Sequence, residues 1–530
     1  MELGFLTTHH DLSRFPGCRC DSPAHVYAYS FNPNPQWSNV YAPAAEILEY
    51  LKDTARKYDC NRFIAYHKRV NSAIWSEERG QWQLSVVDVS TGLELDDSCH
   101  ILVNASGVLS NWKWPELEGL ERFKGQLMHP ANWNESYDFA GKRVAVIGIG
   151  ASAMQVLPQL AKIAKQVTLF ARSPTWVAPQ KAPQSPDEHE KAALVDQEMN
   201  YLPDVRQRFV DDPSYLQRHR RDLADKRLDS FKSSGAGRSP QKSTDERYRA
   251  SMISQLGDSE KARHIAAHLI PSFPVGCRRI TPGPGFLKAL MRENVESVWG
   301  SICRVTETGI QASENGEHRE FDVIVCATGF DYSYIPRFTL RGRNGADLSQ
   351  RWRNDPPEAY LATAIAGFPN YFTFVGPNSP VANGGLVQGI QAQGLFIFKC
   401  ITKLQVQGIR SMDVSKQAMD DYNVHTQAYL RDSVWATDCS SWYKRGDKEG
   451  QVVAVYAGSF CHFVEMMRTP RWEDFVFDYV VSRDSDSLNR FAYLGNGLTV
   501  REASNRSIGS LQTTSFEEYW NLMEVPSFCI

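Results

Sequence analysis

Apolar positions are densest over residues 143–147, where Val144, Ala145, Val146 and Ile147 run without a polar break. Such a run, ended by glycine, predicts a strand buried on both faces. Gly148-Ile149-Gly150-Ala151-Ser152-Ala153 follows, then Val156, Leu157 and Leu160 at helical spacing, then a second apolar run over 167–170. Strand, turn, helix and strand in that order predict a βαβ unit. Upstream, Pro43 opens a helical pattern to about 58, with Ile47, Leu48 and Leu51 on one face. Strands are predicted over 82–89 and 101–105, separated by the Thr91-Gly92 turn. Downstream, a helix is predicted over 286–292, a buried strand over 322–326, a strand over 371–375 and a helix over about 386–405. Residues 184–268 are charged and helical, which predicts an inserted helical lobe with a flexible break at Ser233-Ser234-Gly235-Ala236-Gly237. That lobe carries no catalytic motif. Residues 1–30 are irregular, and the C-terminal part is a loop-rich tail.

Composition narrows the class. A chain of 530 residues fits about three domains, or two with insertions. It is 42% hydrophobic and 22% charged, ordinary for a globular enzyme, and its net charge of −3 gives no footprint for nucleic acid. No apolar run reaches the length of a membrane-spanning helix. Residues 1–10, with Glu2, lack the pattern of a secretory signal, and Cys529 is wrongly placed for prenylation. The eleven cysteines are scattered singly. Cys18 and Cys20 alone cannot build a zinc site, and Cys326 and Cys461 sit in apolar runs. The odd count points to reduced thiols and a cytoplasmic location. Oligomeric state is not legible.

The turn after the 143–147 strand carries specific chemistry. Gly148 permits a tight turn, Gly150 lets backbone approach a pyrophosphate, and Ala153 allows close helix–strand packing. The helix N-terminus, through Ile149, Ala151, Ser152, Met154 and Gln155, faces the phosphates. At the end of the second strand, NAD and FAD sites place an acid; here Arg172 and Ser173 stand, which suits the 2′-phosphate of NADP.

Immediately before this unit, Phe123, Gly125, His129 and Trp133 match F-x-G-x-x-x-H-x-x-x-W. That pattern resembles the fingerprint of flavin-dependent Baeyer–Villiger monooxygenases, with Asn134 standing where the family usually has Pro or Asp. Further matches span most of the chain: Phe15-Pro16-Gly17-Cys18-Arg19-Cys20-Asp21, Tyr41-x-Pro43 with Glu46 and Tyr50, Ala105-Ser106-Gly107, Cys277-Arg278-Arg279, Ala327-Thr328-Gly329-Phe330-Asp331 and Gly376-Pro377-Asn378-Ser379-Pro380. Trp442 and the Arg471-Trp472-Glu473-Asp474-Phe475 segment are similar to the filamentous-fungal branch, which often serves secondary-metabolite pathways.

The resemblance implies an α/β fold with two dinucleotide-binding Rossmann-like domains and an inserted helical lobe. Residues 1–135 are expected to hold the first part of an FAD domain, 136–330 the NADP domain with the lobe at about 184–268, and 331–530 the return to the FAD domain and the tail. It implies FAD and NADPH as cofactors, with a small-molecule ketone and molecular oxygen as substrates. Arg279 resembles the family's active-site arginine, which stabilises the peroxide anion and the oxyanion of the adduct, and Asp21 the carboxylate that positions it; both are also expected to border the cofactors. Arg278 is expected at the 2′-phosphate beside Arg172 and Ser173. Arg19, Cys20 and Tyr27 are expected at the flavin–nicotinamide junction, and Val70 at a cofactor.

One family element does not match. Members begin with a βαβ unit carrying G-x-G-x-x-G and then G-G-x-W; fourteen residues precede Phe15, and Thr7-Thr8-His9-His10 occupy the second slot. The FAD domain is therefore expected to be incomplete at its N-terminus, from an incomplete gene model or truncated product, a shortened chain that still binds FAD, or a pseudoenzyme. Three functions stand: Baeyer–Villiger oxidation of a ketone to an ester or lactone, heteroatom oxygenation by a related flavin monooxygenase, and a non-catalytic NADP-binding protein. Asp21 with Arg278 and Arg279 favours the first.

Overall fold

Five parallel strands carry the glycine turn. Their order across the sheet is Val295–Trp299, Gln166–Ala171, Arg143–Ile147, Val323–Cys326 and Gln126–Met128. The computed structural model describes residues 14–179, 182–187, 193–233, 242–312, 316–382, 384–479, 490–494 and 497. The 1–10 segment with Thr7-Thr8-His9-His10, positions 234–237 and Cys529 lie outside them.

The uninterrupted apolar run is explained by the two covered faces. Side chains alternate along a strand, so Val144 and Val146 point one way and Ala145 and Ile147 the other. The first pair packs with Leu157, Leu160, Phe286 and Leu290 of the helices Ala151–Ile163 and Phe286–Leu290. The second packs with Phe170, Ile324, Leu120, Phe123 and Ile310, the last from a small antiparallel sheet.

A second region gathers around another core. Strands Lys68–Ser76, Gln81–Asp88 and Glu94–Cys99 form an antiparallel meander, with Thr339–Arg341 added parallel to the first. Leu102–Asn104 pairs in parallel with Tyr371–Thr373. Trp75, Trp82, Leu340, Trp352, Phe372, Phe396 and Phe463 fill this core, and Trp82 Nε1 donates to the Pro369 carbonyl at 2.9 Å. The helix Leu386–Val406 lies against it through Phe396, Ile397 and Cys400. The Thr91-Gly92 turn does not lead directly to the 101–105 strand; it returns the chain into Glu94–Cys99, whose polar side chains are almost all exposed. Such a strand has no apolar face to announce it.

The 184–268 stretch holds the helices Pro203–Asp211, Pro213–Ser233, Lys242–Leu256 and Glu260–Leu269. Proline begins the first two, where its missing N–H costs nothing, and Ser259 caps the fourth by accepting from the Ala262 amide. Helix continues through Ser233, so the expected break does not begin there. The lobe buries Tyr201, Phe209, Tyr215 and Leu216 against Val40. Among the described residues, no helix is long and apolar enough to cross a membrane, and no group of His, Cys, Asp or Glu could hold a metal.

Candidate active site

The loop that bears Asp21 is fastened to the glycine-turn helix. Phe15 is buried in the core beneath the helix. Gly17 has φ +83°, and a Cβ there would lie 2.7 Å from the Gln155 carbonyl, so only glycine fits. The Gln155 side chain then clamps Arg19: its Nε2 donates to the Arg19 carbonyl at 2.9 Å, and its Oε1 accepts from the Arg19 amide at 3.4 Å. Burial lowers the Arg19 pKa, partly offset by Glu198. Cys20 is buried, with its amide donating to the Ala42 carbonyl. Burial, helped by the Asp21 charge, pushes its thiol up to about 12, so it carries no thiolate at neutral pH. The Tyr27 phenol is raised by burial and stays protonated.

Arg279 reaches this loop from across the chain. Its Nε donates to Asp21 Oδ2 at 2.6 Å and its Nη2 to Asp21 Oδ1 at 2.8 Å, a two-pronged pair. Its Nη1 donates to the Val381 carbonyl at 3.4 Å, tying it to the loop after Gly376-Pro377-Asn378. Burial would raise the Asp21 pKa, but the Arg279 charge and hydrogen bonds, with Arg227 behind them, hold it below the ordinary value. The Asp21 charge in turn raises the pKa of Arg279 against the opposing effect of burial.

The neighbouring Arg278 turns to the opposite side. Its Nη1 donates to Ser173 Oγ and the Pro174 carbonyl, both at 3.2 Å, and its guanidinium lies 5.0 Å from the Phe273 ring centroid. Burial, and then the like charge of Arg172, lower its pKa. Gly148 has φ +107°, and a Cβ there would meet the Ala327 carbonyl at 2.4 Å, whereas a Cβ on Gly150 would meet nothing. The first glycine serves the turn; the second leaves open space. Ile149, Ala153, Met154 and Gln155 are buried, while Ala151 and Ser152 are half-buried at the helix start. Val70 sits apart, opposite Val86 in the antiparallel sheet.

The fingerprint residues join segments. His129 is 1% exposed and stacks on Trp112 with ring centroids 4.8 Å apart. Its Nδ1 accepts from the Ala131 amide at 3.1 Å, so the proton sits on Nε2, which donates to the Gly329 carbonyl at 3.2 Å. Burial pulls its pKa down to about 4. A Cβ on Gly125 would lie 2.5 Å from the Asp322 carbonyl. Trp133 stacks on Phe139 at 5.5 Å. Together they pin the 123–133 segment to Ala327-Thr328-Gly329.

Two residues that the sequence did not single out join the Asp21–Arg279 pair. Arg227, on the lobe helix Pro213–Ser233, and the buried Tyr443 both act electrostatically on it. Neither stands in a motif; Arg227 reads as one charge in a solvated run. The structure also corrects the reading of uniformly reduced cysteines. Cys277, next to Arg278, forms a disulfide with Cys439, with Cα atoms 6.4 Å apart and a sequence separation of 162.

The residues present fit NADP: an open turn at Gly150, a helix start without a side-chain cap, and Arg172, Ser173 and Arg278 beside it, with Arg278 Nε buried and unpartnered. For FAD they offer a polar cleft. There Ser106, Gly107, Gly376 and Pro377 face one cleft, also lined by Asn104, Asp331 and Arg337, and among the described residues the buried Tyr334 hydroxyl has no partner. The one G-x-G-x-x-A turn of the sequence is the turn at 148–153.

A parallel sheet with a glycine turn, and a part-buried carboxylate–arginine pair beside it, define an oxidoreductase of the dinucleotide-binding class. Comparison with known proteins narrows this. A family profile described as FMO-like, flavin-binding monooxygenase-like, matches residues 20–185. The FAD-binding monooxygenase tazF of Aspergillus terreus is 36% identical over 485 residues, covering 91% of this chain and 83% of that protein. A Baeyer-Villiger monooxygenase of Pseudomonas aeruginosa is 32% identical over 436 residues, covering 82% and 77%. The structure of an oxidized steroid monooxygenase bound to NADP superposes with a TM-score of 0.70 at 27% identity, covering 89% of this chain and 92% of that one. The chain belongs to the FAD-binding monooxygenases that include Baeyer–Villiger enzymes.

Proposed function

We propose that this protein uses FAD, NADPH and molecular oxygen to convert a ketone into an ester or lactone, in a secondary-metabolite pathway. The balance is ketone plus O₂, NADPH and a proton giving ester, water and NADP⁺. The observation that carries the reading is the two-pronged Asp21–Arg279 pair, held beside the glycine-turn helix by the Gln155 clamp.

When bound, FAD reduced by NADPH supplies the oxygen activation. The chain's own residues do the rest. Arg172, Ser173 and Arg278 hold the 2′-phosphate. Arg279 presents a fixed cation where negative charge develops on oxygen, and Asp21 fixes its direction. A preoriented donor of this kind lowers a barrier by roughly 3–4 kcal/mol. Because Asp21 raises the Arg279 pKa, the cation persists at every working pH. Tyr27, Tyr443 and Cys20 stay protonated, so none of them competes as a base.

The test is an absorbance spectrum of the full chain after incubation with FAD, followed by NADPH and a ketone panel. Retained flavin absorbance, bleaching with NADPH, and a product heavier by one oxygen are expected. Absence of retained flavin, or bleaching without an oxygenated product from any ketone, would overturn the reading.

A further inference from the structure

The charges at Asp21 do not balance. Arg279 occupies both carboxylate oxygens, which makes a neutral pair. Arg227 lies beside it: Asp21, Arg279, Cys20 and Tyr41 all act electrostatically on its guanidinium. Its Nη2 donates to the Gly384 carbonyl at 2.9 Å, while Arg279 Nη1 donates to the Val381 carbonyl. Two arginines from distant segments are therefore fastened to one short connection, just before the helix Leu386–Val406.

Among the described residues, the other titratable neighbours do not supply the missing negative charge. Cys20 is held as a thiol, and burial raises the phenols of Tyr27, Tyr41 and Tyr443. Among the described residues the site thus carries one positive charge beyond the pair, and burial already lowers the pKa of Arg227. Among the described residues its one hydrogen bond goes to the Gly384 carbonyl, and a part-buried cation held that way gains from an arriving anion. The arginines assigned to the coenzyme phosphate lie elsewhere, at Ser173.

We propose that Arg227 is a specificity-determining residue: it takes the carboxylate of a keto-acid substrate while Arg279 serves the reacting carbonyl. This rests on the reading of the Asp21–Arg279 site given above. The inserted lobe thereby contributes a substrate-selecting residue to the site.

The experiment uses the FAD-loaded full chain, with 4-oxo-4-phenylbutanoate and its methyl ester as probes. Affinity is measured by titration calorimetry and product by mass spectrometry, in wild type, Arg227→Gln and Arg227→Lys. Wild type is expected to bind the acid at least tenfold more tightly than the ester. That ratio should collapse toward one in Arg227→Gln and be largely kept in Arg227→Lys, which guards against a folding defect. A ratio near one in wild type, binding of neither probe, or a ratio that survives Arg227→Gln overturns the proposal. So does a tenfold loss of NADP⁺ affinity in Arg227→Gln, which would assign the cation to a cofactor phosphate. Acid-selective binding without oxygenated product would support the charge assignment while sinking the Baeyer–Villiger reading.

Discussion

Arg279 holds Asp21 through two hydrogen bonds, at 2.6 and 2.8 Å, across 258 residues of sequence. The carboxylate sets the plane of the guanidinium, and the guanidinium keeps the carboxylate ionised. Arg279→Ala is expected to lower kcat by roughly 10²–10³-fold, the loss seen when one preoriented oxyanion donor is removed. NADP⁺ affinity should change little, because Arg278 and Ser173 lie on the other side of the loop. Asp21→Asn should lower both kcat and stability. The stability loss should be about 1–3 kcal/mol, below that of a fully buried pair, because the Arg279 side chain is 36% exposed. Steady-state kinetics with equilibrium NADP⁺ titration separates the two effects; equal losses in both would remove Arg279 from the reacting centre.

Arg278 and Arg172 differ in how firmly they are held. Arg278 is half-buried and hydrogen-bonded to Ser173 and Pro174, whereas Arg172 is exposed. Hydrogen bonds to charged groups contribute about 1.5–3 kcal/mol, which corresponds to roughly tenfold or more in affinity. Arg278→Ala should therefore raise the KM for NADPH at least tenfold while leaving that for NADH nearly unchanged, and Arg172→Ala should produce a smaller shift in the same direction. An equal rise for both coenzymes in Arg278→Ala would show that the residue serves something other than the 2′-phosphate.

How far these relationships were legible in the sequence depends on their range. The 143–147 strand and its glycine turn announce themselves, because a strand covered on both faces must be apolar throughout and Gly148 has no room for a Cβ. The α/β fold follows from that local grammar. Asp21 and Arg279 were legible only through family motifs, since nothing local says that a turn aspartate meets an arginine 258 residues away. Arg227 was hidden because a charge on an amphipathic helix looks alike whether it faces water or a site. Glu94–Cys99 was missed because an exposed edge strand carries no period-two apolar signal.

Three buried imidazoles predict acid sensitivity. His25 and His219 sit with ring centroids 5.2 Å apart, joining the N-terminal loop to the lobe, and both His25 nitrogens lack partners. Burial holds His25 well below the ordinary value, and His219 and His129 at about 4. In the unfolded chain each takes a proton near 6.5. Their folded values are depressed, so stability is full above about 6.5 and falls as pH drops toward 4. Each contributes up to roughly 1.4 kcal/mol per pH unit in that window. His25→Leu, which removes an unpartnered polar ring, should flatten the slope of Tm between pH 7 and 5. An unchanged slope would place the titrating group elsewhere.

The Cys277–Cys439 disulfide ties the arginine loop to the segment that carries Tyr443. A cross-link closing a loop of 162 residues removes unfolded-state entropy worth at most roughly 5 kcal/mol. Adding dithiothreitol should therefore lower Tm, and it should release two more titratable thiols in the denatured protein than are found without it. Cys439→Ser should reproduce the lower Tm and make it insensitive to reductant. Because Cys277 directly precedes Arg278 and Arg279, the variant should also raise the KM for NADPH and lower kcat, in proportion to the freedom the loop gains. Equal thiol counts before and after reduction would show that the two cysteines lie in contact without a bond, and Tm should then be indifferent to dithiothreitol.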